Sequence, residues 1–268
     1  MDLVSLSLFD LSLAAFLVIL LGLLSWHLQL GITQSLYIAA ARSAIQLTLL
    51  GLVLKQLFNQ VSIPLVTVIS LVMLMVAGYE VMARQQRRFR GWWSLGIGTS
   101  SMFLSSFSIT LLAMFTIIQV DPWYTPQYLI PLLGMLLGNT MSGIAIALNN
   151  LTNAAHDQKG VIEARLMLGD SWQVSINTIR RNALKAGLIP IINAMTTAGI
   201  VSLPGMMTGQ ILAGSPPMEA AKYQLMILFL IAAGTGLGSV TAVWFGSRRL
   251  FDDRQRLSLD RIKSTEKS

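Results

Sequence analysis

The chain predicts an all-α, polytopic membrane protein, and three observations carry that prediction. Apolar residues make up 54% of the 268 and charged residues only 12%, against roughly 45–50% and about 25% in soluble domains. Seven stretches approach or reach the roughly 20 apolar residues needed to cross a hydrocarbon core. The positive charge is gathered into three clusters, each separated from the next by two of those stretches. A chain that weaves through a membrane with its basic loops on one side has this pattern.

Taken in order, the predicted spans are Phe9–Trp26, Leu36–Leu57, Ile63–Ala83, Leu95–Gln119, Tyr128–Asn149, Ala186–Ser202 and Tyr223–Phe245. The first is preceded by Asp2 rather than by lysine or arginine. It lacks the positive n-region of a cleavable signal peptide and is expected to stay in the mature protein. Arg84, Arg87, Arg88 and Arg90 follow the third span, and Lys159, Arg165, Arg180, Arg181 and Lys185 lie between the fifth and sixth. Arg248, Arg249, Arg254, Arg256, Arg261, Lys263 and Lys267 follow the seventh, so sixteen of the nineteen basic residues share one side of a seven-span chain. The loop Val120–Gln127 has no positive residue, and its Trp123 and Tyr124 suit a membrane interface. The N-terminus is therefore expected outside and the C-terminus in the cytoplasm. The net charge of +7 reads as a topology signal, not as a nucleic-acid footprint.

The spans and their loops form one transmembrane domain, residues 1–246, followed by a basic tail, 247–268. The longest polar gap, Asn150–Lys185, is about 35 residues, too short for an independent core. The tail is poor in large apolar residues, so it is expected to extend the last helix briefly and then to be disordered, in contact with membrane lipid. The chain has no cysteine, which excludes disulfides and thiolate metal sites. With only two histidines, His27 and His156, and acidic residues mostly in loops, no catalytic constellation forms.

Within the polar gap, Leu168, Trp172, Ile176 and Ile179 recur at i, i+4, i+8 and i+11, as one helical face does. Gly169-Asp170-Ser171 offers a helix stop and then an N-cap. The segment is expected to form two short amphipathic helices at the cytoplasmic membrane face, either resting among headgroups or docking on a partner.

A second irregularity is Val201-Ser202-Leu203-Pro204-Gly205-Met206-Met207-Thr208-Gly209-Gln210, which interrupts the sixth apolar run. Broken backbone at membrane depth is tolerated only where protein or a water-filled cavity satisfies it, so Ser202, Pro204, Gly205, Met206 and Met207 are candidates for a transport path. Arg42 and Gln46 share a helix face. Arg42 faces either a bundle interior or, by snorkelling, the cytoplasmic interface. Glu80 is expected to pair with Arg84 at i+4. Asn139, Thr140, Ser142, Asn149 and Asn150, with Asn193, Thr196 and Thr197, read mainly as interhelical glue. Of these, Asn139, Asn149 and Asn193 are also candidates for lining a path. Gly134, Gly138, Gly234, Gly236 and Gly238 fit close packing. The 14 methionines read as adaptable core filler rather than as a copper relay.

Glu163-Ala164-Arg165, three residues, then Gly169 is similar to the EAA loop of ABC transporter permeases, with arginine at the third position in place of the usual alanine. Ala41–Leu47, Gly138–Met141 with Asn149–Leu151, and Val201–Gly209 with Ala221–Gln224 extend the likeness. Together they resemble the FetB-type permease family from about Leu36 to Phe245. The resemblance implies the membrane subunit of a bacterial inner (plasma) membrane ABC system, linked to iron export, with plant relatives linked to aluminium tolerance and to nucleotide-sugar transport. It implies a homodimer served by two copies of a separate ATPase, which would bind the ATP and magnesium. Glu163, Ala164, Leu168, Gly169, Trp172 and Ile176 would be the contact for that partner. The chain has no Gly-x-x-x-x-Gly-Lys-Ser/Thr loop to cradle phosphates, so no cofactor is expected on the chain itself. A metal-binding set is not legible. A stand-alone secondary transporter or channel would use the broken segment and Arg42 equally well, but leaves the Glu163–Ile179 element without a role.

Overall fold

The computed structural model describes residues 7–59 and 62–264. It is helical almost throughout, with one two-stranded β-ribbon. The described residues fall into two compact units. The first comprises the chain up to Val61 together with Leu212–Gly214, and the second comprises Ser62–Ile211 and Ser215–Ser268.

In the first unit, α1 (Leu8–His27) and α2 (Thr33–Asn59) form a helical hairpin. Ser7 caps α1 in a reciprocal box with Asp10, satisfying amides that a helix start leaves orphaned. The tight connection places Gln29 and Gly31 at positive φ. Two hydrogen bonds hold the pair: Thr33 Oγ1 donates to Ser25 Oγ at 3.1 Å, and the Tyr37 hydroxyl donates to the Ile19 carbonyl at 3.1 Å. Leucine and isoleucine are exposed along both helices, as on a surface that faces lipid.

The second unit is a bundle built on α3 (Ile63–Ala83), α6 (Pro126–Asp157), α9 (Asn177–Thr197) and α11 (Pro217–Arg249). The fourth predicted span is composite. It runs through α4 (Trp93–Met102), a π-helical turn at Phe103–Phe107, α5 (Ser108–Ala113) and a second π-helical turn at Met114–Ile118. Prolines start α3, α6 and α11, where their missing N–H costs nothing.

Among the described residues, six helices are long and apolar enough to cross a membrane: Phe9–His27, Thr33–Leu54, Ile63–Ala83, Trp93–Ile118, Pro126–Asp157 and Pro217–Arg249. The protein is thus an all-α, multi-pass membrane protein. The sixth predicted span, Ala186–Ser202, differs from expectation at both ends. Its helix α9 begins at Asn177, taking in Arg180, Arg181 and Lys185, and stops at Thr197 before Ser202. Those three cations lower its apolarity, although its 21 residues span about 31 Å at 1.5 Å per residue. The 32 residues of α6 and the 33 of α11 reach nearly 50 Å, beyond the roughly 30 Å hydrocarbon core. Both run past their predicted C-terminal ends, Asn149 and Phe245.

The tail is folded through Ser264, contrary to the expected disorder. Leu250 and Phe251 are buried, and Arg261 donates to the carbonyls of Arg249 (3.1 Å) and Phe251 (3.0 Å). Ile262–Ser264 (β2) pairs antiparallel with Arg87–Phe89 (β1), with Arg88 opposite Lys263. A few apolar anchors, Leu250, Phe251, Leu257 and Ile262, pack on the core cluster and suffice to hold a segment whose overall composition is polar. The ribbon also gathers the charge: the basic residues after α3 and after α11 lie on one end of the bundle.

The interior of this unit is made tight by small residues. A Cβ on Gly187 of α9 would stand 2.7 Å from the Gly143 carbonyl oxygen of α6 and 2.9 Å from the Ala147 Cβ. The two backbones are therefore in contact, and only hydrogen fits between them. Gly238 of α11 is equally confined by Thr140 and Ser105, whereas Gly138 has open space around it. Of the glycines marked for packing in the sequence, Gly238 has that role and Gly138 does not.

Candidate functional site

Helix α7 (Lys159–Met167) follows α6 almost directly and ends in a turn at Leu168–Ser171. Gly169 sits there at φ +94° with nothing within 4 Å of where a Cβ would be. It is the predicted helix stop, and glycine is required by the left-handed backbone rather than by crowding. Ser171 stands at the start of the next short helix, α8 (Trp172–Ser175), but its side chain makes no capping bond. Its carbonyl instead accepts from Ser175 Oγ at 3.0 Å.

The predicted apolar stripe is only partly one face. Trp172 packs on the core, and Ile176 and Ile179 are 0% and 4% exposed. Leu168 lies before the glycine break and points the other way, 86% exposed beside Met167 at 83%. The turn thus carries an apolar tip that the rest of the unit leaves uncovered. Glu163 is half-buried on α7 and faces Lys159 one turn away at 3.8 Å, while Ala164 is exposed beside it.

The tail completes this site, which the sequence reading missed. A cleft of about 830 Å3 has Glu163, Met167, Gly169 and Asp170 on one side and the turn Asp252–Ser258 on the other. Gln255, at φ +59°, accepts a hydrogen bond from the Trp172 amide through Oε1 at 3.1 Å. The Trp172 and Phe251 rings lie 5.5 Å apart. Asp252 organises the turn. The Arg256 amide donates to its Oδ1 at 2.8 Å and the Arg254 amide at 3.0 Å, while the Arg256 side chain reaches Oδ2 at 2.9 Å through Nε and 2.8 Å through a terminal nitrogen. These bonds, the Arg256 amide first, hold the Asp252 carboxyl below the usual carboxylate range. The available signal was the scatter of large apolar residues through the tail, Leu250, Phe251, Leu257 and Ile262.

The candidate path residues are spread over both units. Arg42 and Gln46 share an exposed face of α2 in the first unit. Asn139 turns back on its own helix, donating to the Met135 carbonyl at 2.8 Å. Asn149 holds the loop after α3, accepting from the Gln86 amide at 2.9 Å, while Asn153 donates to the Gln86 side chain and Thr152 to the Arg87 carbonyl, both at 3.0 Å. Asn193 is exposed on the second half of α9. Glu80 and Arg84 approach to 3.9 Å, as i+4 spacing predicts.

The break after α9 is real. The chain leaves the helix at Ala198, passes Gly199 at φ +84°, and is tied by Ser202, whose amide donates to the Thr197 carbonyl at 3.2 Å and whose carbonyl accepts from the Gly199 amide at 2.9 Å. Pro204 then leads into α10 (Gly205–Leu212), which carries Met206 and Met207 half-buried. Ile200 and Val201 project from the break, 90% and 80% exposed. Among the described residues no three His, Asp or Glu side chains gather as a metal site. The interior instead collects hydroxyls: Ser106, Thr140, Thr235 and Ser239 are at most 2% exposed and their oxygens find no hydrogen-bond partner in the protein.

The arrangement defines a class: a multi-pass helical membrane protein with a short, protruding helical turn braced by its own C-terminal tail. Within that class the chain belongs to UPF0014, described as an uncharacterised protein family, whose profile matches residues 8–251. It is 36% identical over 240 residues to the UPF0014 membrane protein slr1647 of Synechocystis, covering 88% of this chain and 90% of that one. It is 32% identical over 233 residues to the protein ALUMINUM SENSITIVE 3 of Arabidopsis thaliana, covering 86% and 83%. It is 30% identical over 259 residues to the probable iron export permease protein FetB of Escherichia coli, covering 95% and 96%. No solved structure matches.

Proposed function

We propose that the protein is the permease subunit of an ATP-binding cassette transporter of the inner (plasma) membrane, exporting iron or another metal ion. It would work as a homodimer with two copies of a separate ATPase that binds the ATP and magnesium. The observation that carries this reading is the α7–α8 turn. Its Met167–Leu168 tip is almost fully exposed beside Glu163, on an element set off by Gly169 and braced from behind by Trp172, Phe251 and Gln255. An apolar knob on a rigid support beyond the ends of long spans suits insertion into a partner's cleft. The near full-length likeness to a probable iron export permease supports the choice of transporter class and cargo. Buried hydroxyls between α6 and α11 and exposed amides on α9 offer oxygen donors, which hard cations take. In this reading the coupling turn, the basic loops and the tail are cytoplasmic.

The test is a mild-detergent pull-down of tagged protein from its own cells, comparing wild type with Glu163→Arg. Glu163 makes only a half-exposed surface pair with Lys159, worth about 0–1 kcal/mol, so the variant is expected to fold. Wild type should retain a stoichiometric nucleotide-binding subunit and the variant should lose it. Folded wild type with no ATPase attached would overturn the proposal and leave a gradient-driven transporter.

A further inference from the structure

We infer that the bundle end carrying the α7–α8 turn also holds a site for the phosphate headgroup of an anionic phospholipid. A cavity of about 1120 Å3 opens where α4 begins and α11 ends. Trp92 and Trp93 form one wall at the entry to α4, and Trp244 faces it from the last turns of α11. Between these rings stand Arg248 and Arg249. The Arg249 guanidinium carbon lies 4.4 Å from the Trp93 ring centre, and that of Arg248 lies 5.9 Å from Trp244. Both distances are within cation–π range, so each tryptophan restrains an arginine whose five N–H donors suit an oxyanion.

The charge balance at this cavity favours an anion. Among the described residues neither Arg248 nor Arg249 makes an ion pair within 4.0 Å. Asp252 is committed to Arg256 and the turn amides, and Arg261 is spent on the carbonyls of Arg249 and Phe251. On the lining that leaves two guanidinium groups against the carboxylate of Asp253, with Asp260 also acting on Arg249 from outside it. Guanidinium forks match phosphate oxygens in geometry as well as in charge.

The depth of the cavity favours a lipid over a soluble phosphate. It lies at the ends of two span-length helices, and Trp92 and Trp93 are 84% and 54% exposed. Tryptophans in this position mark the headgroup layer, where basic residues at span ends attract anionic lipid. The acyl chains would run along the exposed apolar surface of α4 and α11. Trp172 and Gln255 also line the cavity, and they bond to each other, so an occupied headgroup site would sit directly behind the protruding turn. The site does not depend on what that turn docks against.

Native mass spectrometry of the purified full-length protein, with an equimolar mixture of phosphatidylglycerol and phosphatidylcholine, tests this. Two arginines at a membrane surface should favour the anionic headgroup by roughly thirtyfold. The Arg248→Gln/Arg249→Gln variant should fall to a retention ratio near one. Arg248→Gln alone, at an exposed position, should keep the fold and lose about fivefold. Arg254→Gln, on the neighbouring turn but outside this cavity, should match wild type. An equal preference in wild type and the double variant, or no preference in wild type, would overturn the site. Displacement of bound lipid by millimolar glycerol phosphate or inorganic phosphate would overturn the lipid assignment in favour of a soluble anion.

Discussion

Adding one methyl group at two glycines of the same loop should have opposite effects. Gly169 holds φ +94° and Gly160 lies in the first turn of α7, and a Cβ at either position meets nothing within 4 Å. Sterics between side chains therefore drop out and only the backbone decides. At Gly169 alanine must occupy a left-handed conformation that costs about 1–2 kcal/mol, so the native turn is depopulated by roughly five- to thirtyfold relative to alternatives. At Gly160 alanine improves helix propensity by up to about 1 kcal/mol. Because the turn lies outside the bundle core, neither change should move the global melting temperature in mild detergent by more than a few degrees. Under the proposed function, the assay is retention of a nucleotide-binding subunit through a detergent wash, read alongside thermal unfolding. Gly169→Ala should lose the partner and Gly160→Ala should hold it as well as wild type or better. Equal retention in both variants would refute the idea that the glycine-set geometry of this turn is what the partner reads.

Two further outcomes follow from the contacts around the site. The Asp252 carboxyl is held below its usual range by the Arg256 amide and its companions, so its folded pKa lies below its unfolded one, and the stability it contributes is present above the unfolded value and lost as pH falls through the folded one. The tail turn should stay closed at neutral pH and loosen below about pH 4, read by Trp172 fluorescence against Phe251, and Asp252→Asn should abolish that transition. Asn149→Ala removes the acceptor of the Gln86 amide and should cost about 0.5–1.5 kcal/mol or somewhat more. Under the proposed function, a purely structural Asn149 leaves cargo flux per folded molecule unchanged, whereas a selective loss of flux at unaltered stability would assign it to the transport path.

Six of the seven predicted spans were legible because apolarity over about 20 residues has few alternative readings in a chain so poor in charge, whereas Ala186–Ser202 falls on a helix that begins at Asn177 and takes in three cations. The Gly169 stop and the break after α9 were legible too, since glycine and proline act locally. What sequence could not supply was the partner of each polar group. Asn139 donates to a carbonyl of its own helix and Asn149 fastens Gln86, and neither bond is written in the spacing of the sequence. Leu168 keeps perfect helical spacing with Trp172 and Ile176, but a single left-handed residue between them rotates it out of their face. The tail was misread because composition averages over a segment. Leu250, Phe251, Leu257 and Ile262 act one at a time, each finding a place on the core that only the fold creates.

Helix α9 ties the two irregularities together. Its first residue, Asn177, follows closely on α8 and the Leu168–Ser171 turn, and its last, Thr197, anchors the break through bonds to Ser202 and Val201. At Gly187 it rests on the α6 backbone so closely that no side chain intervenes. Pro190, three residues on, removes the amide hydrogen bond that would otherwise stiffen the helix. The half before Pro190 buries Ile179, Ala183 and Gly187, while the half after it leaves Ile192, Asn193 and Thr196 exposed. Packed backbones of this kind move as rigid bodies between discrete arrangements rather than deforming smoothly. Under the proposed function, force applied at the Leu168 tip would therefore pass undiminished as far as Gly187 and be converted to bending at Pro190. In the same reading the broken segment, whose backbone hydrogen bonds are local, would be the part that yields.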